Sequence, residues 1–497
     1  MTPRPLPIAY DFDEEAFGFG APQGTPESPS AAEAPGAAGY AALGAIALGV
    51  LSFAAQLADA PHAGTWIGLL SGLPLAFGAA AVYFWLSYRG TTPGIKHDGI
   101  FFGSMTARGT LAWAAGLGLT AFYVVLYWLP SAGRIAKLEA GEGIPSQARV
   151  WTLKWTSVLF ERGIDSLDPL ATLLSGKPAD KWFLYGTLYT LAVLAFGVRM
   201  LLKYRHNRYQ IVRTLSVMVF QLGFAFLIPN LLKAFRYPEY YFTYFWPLKY
   251  DYLFPSSVSY LWNTPGGMGV FMVFWGLAAT FVATPVLTYF FGKRWYCSWV
   301  CGCGGLAETL GDPYRQLSSK STSAWRIERW LIHGVLVFVV VTTVALWVTR
   351  GSKSPVASGL YQWYGFLIGA AFSGVIGVGF YPLMGSRVWC RFGCPMAAIL
   401  GIFQRCFSRF RITTNGGQCM SCGNCSTYCE MGIDVRAYAE KGENVVRASC
   451  VGCGVCAAVC PRGVLKLENG PTHGDRFAGS ENPVGTFLDS LTSGPKV

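Results

Sequence analysis

The sequence predicts two joined parts: an all-α polytopic membrane domain of about eight helices, and a small α+β domain organised by cysteines near the C-terminus. Three observations carry this. Of 497 residues, 52% are hydrophobic and 13% charged, where an ordinary soluble domain has about 25% charged. Apolar runs long enough to cross a bilayer core of about 30 Å recur along the chain. All 14 cysteines lie between Cys297 and Cys460, and most fall into repeated spacings.

Residues 1–38 are rich in Pro, Ala and Gly with few bulky aliphatics, which predicts a disordered tail. Its opening, MTPRPLPIAYDFDEE, lacks the apolar core of a signal peptide. Apolar runs follow at roughly 40–58, 65–87, 109–130, 182–202, 211–230, 267–291, 330–349 and 360–384. An even number of spans puts both termini on one side. The linkers 88–108, 203–213 and 292–329 share that side and carry Arg89, Lys96, Arg108, Lys203, Arg205, Arg208, Arg213, Lys293, Arg294, Arg315, Lys320, Arg326 and Arg329. The opposite linkers include a near-neutral stretch at 131–181 and an aromatic one at 231–265. Basic loops mark the cytoplasmic side. The expected location is therefore a bacterial inner membrane, with both termini and every cysteine at the cytoplasmic face. The net charge of +12 does not point to nucleic acid, because the basic residues fall between apolar spans.

These signals predict a tail at 1–38, a five-helix membrane part with two outward loops at 39–265, a cysteine-bearing membrane part at 266–410, the α+β domain at 411–470 and a second tail at 471–497. The segment Tyr237–Trp262 (YPEYYFTYFWPLKYDYLFPSSVSYLW) reads as an interfacial aromatic belt in preference to a quinone or partner dock.

Cys419, Cys422, Cys425 and Cys429 follow C-x2-C-x2-C-x3-C, and Cys450, Cys453, Cys456 and Cys460 repeat the spacing, with Pro461 after the last. This is the ligand pattern of a two-cluster bacterial ferredoxin, in which the fourth Cys of each run ligates the other cluster. The predicted ligand sets are Cys419, Cys422, Cys425 and Cys460 for one [4Fe–4S], and Cys450, Cys453, Cys456 and Cys429 for the other. Gly423 matches Gly454, and Gly432 matches Gly463; small residues let the backbone aim N–H groups at cluster sulfurs. Lys441–Asn444 reads as a turn between short strands.

A second repeat lies upstream. GKRWYCSWVCGCGGL (Gly292–Leu306) aligns with GSRVWCRFGCPMAAI (Gly385–Ile399). Each copy follows a membrane helix, so Arg294 and Arg387 are expected at helix C-termini, where cations are favoured. Cys297/Cys301 and Cys390/Cys394 are each expected one helical turn apart on one face. Four thiolates suffice for a third cluster or a tetrahedral metal; a redox dithiol and structural thiols stay open as alternatives. Cys303 and Cys406 have no counterpart in the repeat, though Cys303 could stand in for Cys301.

Paired membrane C-x3-C motifs followed by a two-cluster ferredoxin resemble the NosR/NapH/CcoG-type membrane polyferredoxins. The resemblance covers about residues 266–470 and rests on CSWVC (Cys297–Cys301), CRFGCP (Cys390–Pro395) and the two runs. It implies electron transfer between cytoplasmic carriers or quinol and a partner at or across the membrane, and in some members service to the maturation of a metalloenzyme. The chain departs from the pattern at Gly302, where Pro is usual, and at Glu430, which replaces the Pro after Cys429 and is expected to lower a nearby potential. No Ser/Thr-Gly-Ala-Thr flavin-acceptor motif occurs.

Of the histidines His62, His97, His206, His333 and His473, only His333 lies in a predicted span, so neither haem nor flavin is expected. No P-loop, Rossmann, zincin or serine-hydrolase motif occurs in a suitable context. The expected function is electron transfer between a cytoplasmic carrier or quinone and a membrane or periplasmic partner, in contact with lipid and within a larger membrane complex. Such a chain is an electron-transfer subunit before it is a stand-alone enzyme. The rivals are a maturation factor that reduces a metal for another enzyme, and a membrane-anchor subunit of a larger oxidoreductase.

Overall fold

The computed structural model describes residues 36–58, 64–89, 93–94, 106–129, 147–349 and 354–470. Both expected tails, apart from residues 36–38, lie outside the described residues, as do Lys96, His62, His97 and His473. Among the described residues, seven helices are long and apolar enough to cross a membrane: Ala37–Leu57, Trp66–Tyr88, Thr110–Trp128, Lys181–Lys203, Arg208–Ala234, Met268–Phe291 and Thr322–Val348. Several start on a side chain that accepts an orphan N–H, as helix N-termini require. Asp180 accepts from Phe183 N at 2.7 Å, Asn207 from Gln210 N at 3.1 Å and Ser321 from Ala324 N at 3.2 Å. Their outer faces expose Leu51, Phe281, Val337 and Val344, which suits a hydrocarbon surrounding.

The eighth expected run, 360–384, is not one α-helix. Pro355–Tyr364 is α-helical and passes into a wide π-type helix, Gly365–Ile376, after which the chain turns and forms only the short helix Tyr381–Met384. Gly365, Gly369, Gly374, Gly377 and Gly379 in this stretch weaken the α-helix. Similar wide turns occupy Phe220–Leu227 and Ala279–Ala283, ahead of Pro229 and Pro285. Proline has no N–H and its ring crowds the preceding turn, so the ladder widens before it. Side chains take carbonyls there: Asn230 Nδ2 donates to Phe226 O at 2.8 Å and Thr284 Oγ1 to Ala279 O at 2.9 Å.

The 131–181 linker contains two helices, Gln147–Asp165 and Asp168–Ser175. The aromatic segment 237–262 is a surface belt only in part: Tyr260 and Trp262 are exposed. Tyr240, Phe245 and Phe254 are buried, and Tyr240 stacks on Tyr252 at 4.5 Å and 8°. Its middle turns inward: Thr280, near the centre of Met268–Phe291, donates to Trp246 O at 3.0 Å. Irregular backbone at that depth is tolerated only where protein surrounds it.

The C-terminal part carries a two-stranded antiparallel sheet, β1 (Arg411–Thr414) with β2 (Leu465–Glu468), in the register Ile412↔Leu467. Between them lie the short helices Asn424–Thr427, Val435–Lys441 and Val455–Ala458. Lys441–Asn444 does not join two strands. Lys441 ends a helix, Gly442 caps it at φ 69°, and Val445 makes a lone bridge to Ile412. The repeat is written in the backbone: Ser421 and Gly452 have φ 54° and 62°, Gly423 and Gly454 75° and 72°, Gly432 and Gly463 66° and 59°.

Candidate iron–sulfur electron-transfer site

The structure places the cysteines in three neighbourhoods, in none of which, among the described residues, three ligating side chains come within reach of one metal ion. The outer group is Cys419, Cys422, Cys425 and Cys460, which line one open cavity together with Met420, Arg436 and Arg462. Cys422 is exposed and Cys425 buried. The positive φ at Ser421 and Gly423 curls the first run around this cavity, and Cys460 enters it from the second run.

The inner group is Cys450, Cys453, Cys456 and Cys429; Cys450 and Cys456 are buried in a core that also holds the third group, and Cys429 and Cys453 pack against it. Burial first, and then the neighbouring Cys453, Cys450 and Cys429, push the Cys456 thiol well above its ordinary value. Thiols in this setting lose their protons only to a cationic centre, so the donor set fits an iron–sulfur cluster. Backbone donors already face the fourth sulfur of each run. Ile433 N lies 3.3 Å from Cys429 Sγ, and Val464 N 3.4 Å from Cys460 Sγ.

The inner loop is gripped by side chains from the membrane part. Gln404 Nε2 donates to Arg447 O at 2.7 Å and to Cys450 O at 2.8 Å. Lys293 Nζ donates to Ala448 O at 3.2 Å, Ser298 Oγ to Val451 O at 2.8 Å, Tyr209 Oη to Gly452 O at 2.7 Å and Gln210 Nε2 to Cys453 O at 2.8 Å. Six carbonyls between Arg447 and Cys453 are thus held by residues that precede the α+β region. Gly454 is required here: at φ 72° a Cβ would also stand 2.8 Å from the Tyr209 ring.

The third group is Cys297, Cys301, Cys390 and Cys394, each 5–6% exposed and all in the core that holds the inner group. Neither pair lies on one face of a single helix. Cys297 ends the short helix Arg294–Cys297, and Cys301 precedes the next, Gly302–Glu308. Cys390 sits in a wide turn, Trp389–Gly393, and Cys394 precedes Pro395–Cys406, its Sγ accepting from Ala397 N at 3.4 Å. The chain breaks between the two thiols of each pair, which lets both repeats converge. Cys301 and Cys394 occupy the same N-cap position, so Cys301, and not Cys303, is the counterpart of Cys394. Gly302 stands where Pro395 stands in the other copy because any Cβ there would collide with Tyr244 Oη.

Tyr244 belongs to the inward-turning aromatic segment. Its neighbour Phe245 packs on Tyr296 at 5.4 Å, and Tyr296 Oη donates to Thr243 O at 2.7 Å. That segment thus reaches the third cysteine group.

The arginines of the G-x-R repeat do not sit at helix C-termini. Thr284–Phe291 ends at Gly292 (φ 64°), and Arg294 starts the next helix, 4.9 Å from the Phe410 ring and 5.8 Å from that of Tyr209. Arg387 follows Gly385 (φ 97°) into the interior and is 1% exposed. There it joins a buried ion network missed by sequence reasoning. Glu308 pairs with Arg213 and Arg387. Asp312 pairs with Arg199 and Lys203 at 2.8 Å and Arg315 at 2.7 Å. Glu430 pairs with Arg315 at 2.9 Å and Arg387 at 3.1 Å. Burial alone would raise the Glu430 carboxyl, but the Arg315 and Arg387 guanidiniums hold it below its ordinary value. Glu430 therefore does not act as a lone negative charge beside Cys429. A signal for the network was present: the basic linker 292–329 carries three acids, Glu308, Asp312 and Glu328. All three are buried and paired, Glu328 with Arg391 at 2.7 Å.

His333 is exposed, with Nδ1 against Arg329 O, and meets none of these groups.

Known proteins carry parts of this arrangement. A family model described as “4Fe-4S binding domain” matches residues 272–321 and 366–414, the two C-x3-C repeats. One described as “4Fe-4S dicluster domain” matches residues 418–465. The chain is a membrane protein with ferredoxin-type 4Fe-4S domains. It is 26% identical over 157 residues to an Escherichia coli K12 protein named “Putative electron transport protein YccM”, which covers 29% of this chain and 43% of that one. It is 29% identical over 153 residues to “Uncharacterized protein MJ0749” of Methanocaldococcus jannaschii, covering 30% and 56%. The chain spans about half the length of the curated relatives it matches. No solved structure matches.

Proposed function

We propose that the chain conducts electrons between a cytoplasmic carrier or quinone and a partner at or beyond the membrane, as the NosR/NapH/CcoG-type polyferredoxins do. Cys419, Cys422, Cys425 and Cys460 would hold the outer [4Fe–4S] cluster, Cys450, Cys453, Cys456 and Cys429 the inner one, and Cys297, Cys301, Cys390 and Cys394 a third. When bound, such clusters supply one-electron transfer at potentials set by their surroundings. The protein's own residues supply placement: Arg436 and Arg462 rim the open outer group, Tyr209, Gln210, Ser298 and Gln404 anchor the inner loop, and Phe245 and Tyr296 cover the third group. The reading includes an inner-membrane location with the ferredoxin part in the cytoplasm.

The observation that carries it is continuity. The carbonyl grip on 447–453 joins the ferredoxin runs to Lys293 and Ser298, on either side of Cys297, without a flexible tether. Anaerobic purification, iron analysis and low-temperature EPR of the reduced protein test it. About twelve irons per chain are expected for three clusters. A protein that binds no iron and gives no [4Fe–4S] signal overturns it.

A further inference from the structure

Arg387 touches the third cysteine group directly and the inner group's sequence neighbour, Glu430. Its NH1 donates to Cys297 O at 3.2 Å and lies 3.6 Å from Cys390 Sγ. Its NH2 pairs with Glu308 and, at 3.1 Å, with Glu430, the residue after Cys429. A planar guanidinium can do this because its donors diverge in a fixed fork; a lysine ammonium cannot reach all four partners at once. The surroundings are dry: Arg387, Arg315 and Arg213 are at most 1% exposed, and charge interactions are screened least in such interiors. Among the described residues, the Nε–H groups of Arg387 and Arg213 have no hydrogen-bond partner.

We propose that Arg387 is a positioning residue shared by the third cysteine group and the inner group, placing both in one positive field so that their reduction potentials rise and fall together. The idea rests on the cluster assignment above. Each reduction adds one electron and one negative charge to a site, with no bond made or broken, and the electron comes from the cytoplasmic carrier or quinone. Without a shared cation, negative charge gained at one site would oppose reduction of the other. The fixed charge of Arg387 stabilises the negative charge added at either site and so raises both midpoints, while Glu430 and Glu308 hold the guanidinium in place and set how much of its charge the sites feel.

EPR-monitored redox titration of the iron-loaded, full-length protein tests this, with iron content measured on every sample. R387Q is expected to lower the midpoints of both the inner and the third-group signals, and R387K to restore part of the loss. E430Q removes a negative charge from the same field and is expected to raise both midpoints. It also carries the test should R387Q fail to load iron. A wild-type protein with about eight irons would overturn the third-cluster assignment, and this inference with it. About twelve irons with only one midpoint moving, or neither, would overturn the shared role of Arg387 alone and leave the electron-transfer reading intact.

Discussion

The Tyr209 hydroxyl donates to the Gly452 carbonyl at 2.7 Å across 243 residues of sequence, and the same oxygen receives Trp299 Nε1–H at 3.2 Å. One phenol in the first turn of a membrane helix thus fastens the loop that carries the inner cysteines. Removing it leaves a buried carbonyl unmatched, which costs about 1–3 kcal/mol. Y209F should lower thermal stability by that order and raise hydrogen exchange at residues 450–456. Wild-type exchange in the variant would mean that the loop is held without it.

Two glycines of the second run separate backbone conformation from contact. Gly463 has φ 59° and nothing within 4 Å of an added Cβ, whereas Gly454 has φ 72° and the Tyr209 ring in the way. G463A should cost only the left-handed backbone penalty, roughly 1–2 kcal/mol. G454A should cost more and lower inner-group iron. Equal losses from the two would deny the contact.

The exchange of fourth cysteines has a direct signature. C460S should remove the cluster assigned to Cys419, Cys422 and Cys425, and C429S the one assigned to Cys450, Cys453 and Cys456. Each should lower iron by about four atoms per chain and abolish a different EPR signal. If each run served itself the losses would be exchanged: C460S would abolish the signal assigned to Cys450, Cys453 and Cys456, and C429S the one assigned to Cys419, Cys422 and Cys425.

Acid should loosen the Asp312 knot. Burial would raise the Asp312 carboxyl, yet Lys203, Arg199 and Arg315 outweigh it and hold it far below its ordinary value. A depressed folded-state pKa gives stability that is complete above the unfolded value, about 3.9, and lost as pH falls toward the folded one. Stability should therefore decline below about pH 4, and D312N should flatten that limb. D312N also strands buried cations, so at neutral pH it should cost about 3–5 kcal/mol. Glu308 runs the other way: burial raises its carboxyl despite Arg213 and Arg387, so its share fades as pH rises. Thermal denaturation from pH 3 to 8 measures the balance.

The sequence made the local features legible and left the long-range ones hidden. Spacing marked the ferredoxin region at 418–465, and apolar length located seven of the eight expected membrane helices, because both signals are short in range. The C-x3-C pairs were read as single helical turns, since i and i+4 share a helix face. The chain instead breaks at residues 298–300 and at Gly393, which spacing does not reveal. Composition alone is silent on whether Phe245 faces lipid or Tyr296, so the inward turn of the aromatic segment does not show in the sequence. Arg387 looked like a helix-end cation, since its partners Glu308 and Glu430 lie 79 and 43 positions away.

The carbonyl grip on residues 447–453 has a kinetic meaning. Carriers that swing a tethered domain between donor and acceptor are limited by a hinge and slow down in viscous solvent. Here the residues flanking Cys450 and Cys453 are clamped to the helices they would have to visit. On the proposed reading, transfer inside the chain would wait on no hinge, and a partner would meet the chain at the exposed Cys422.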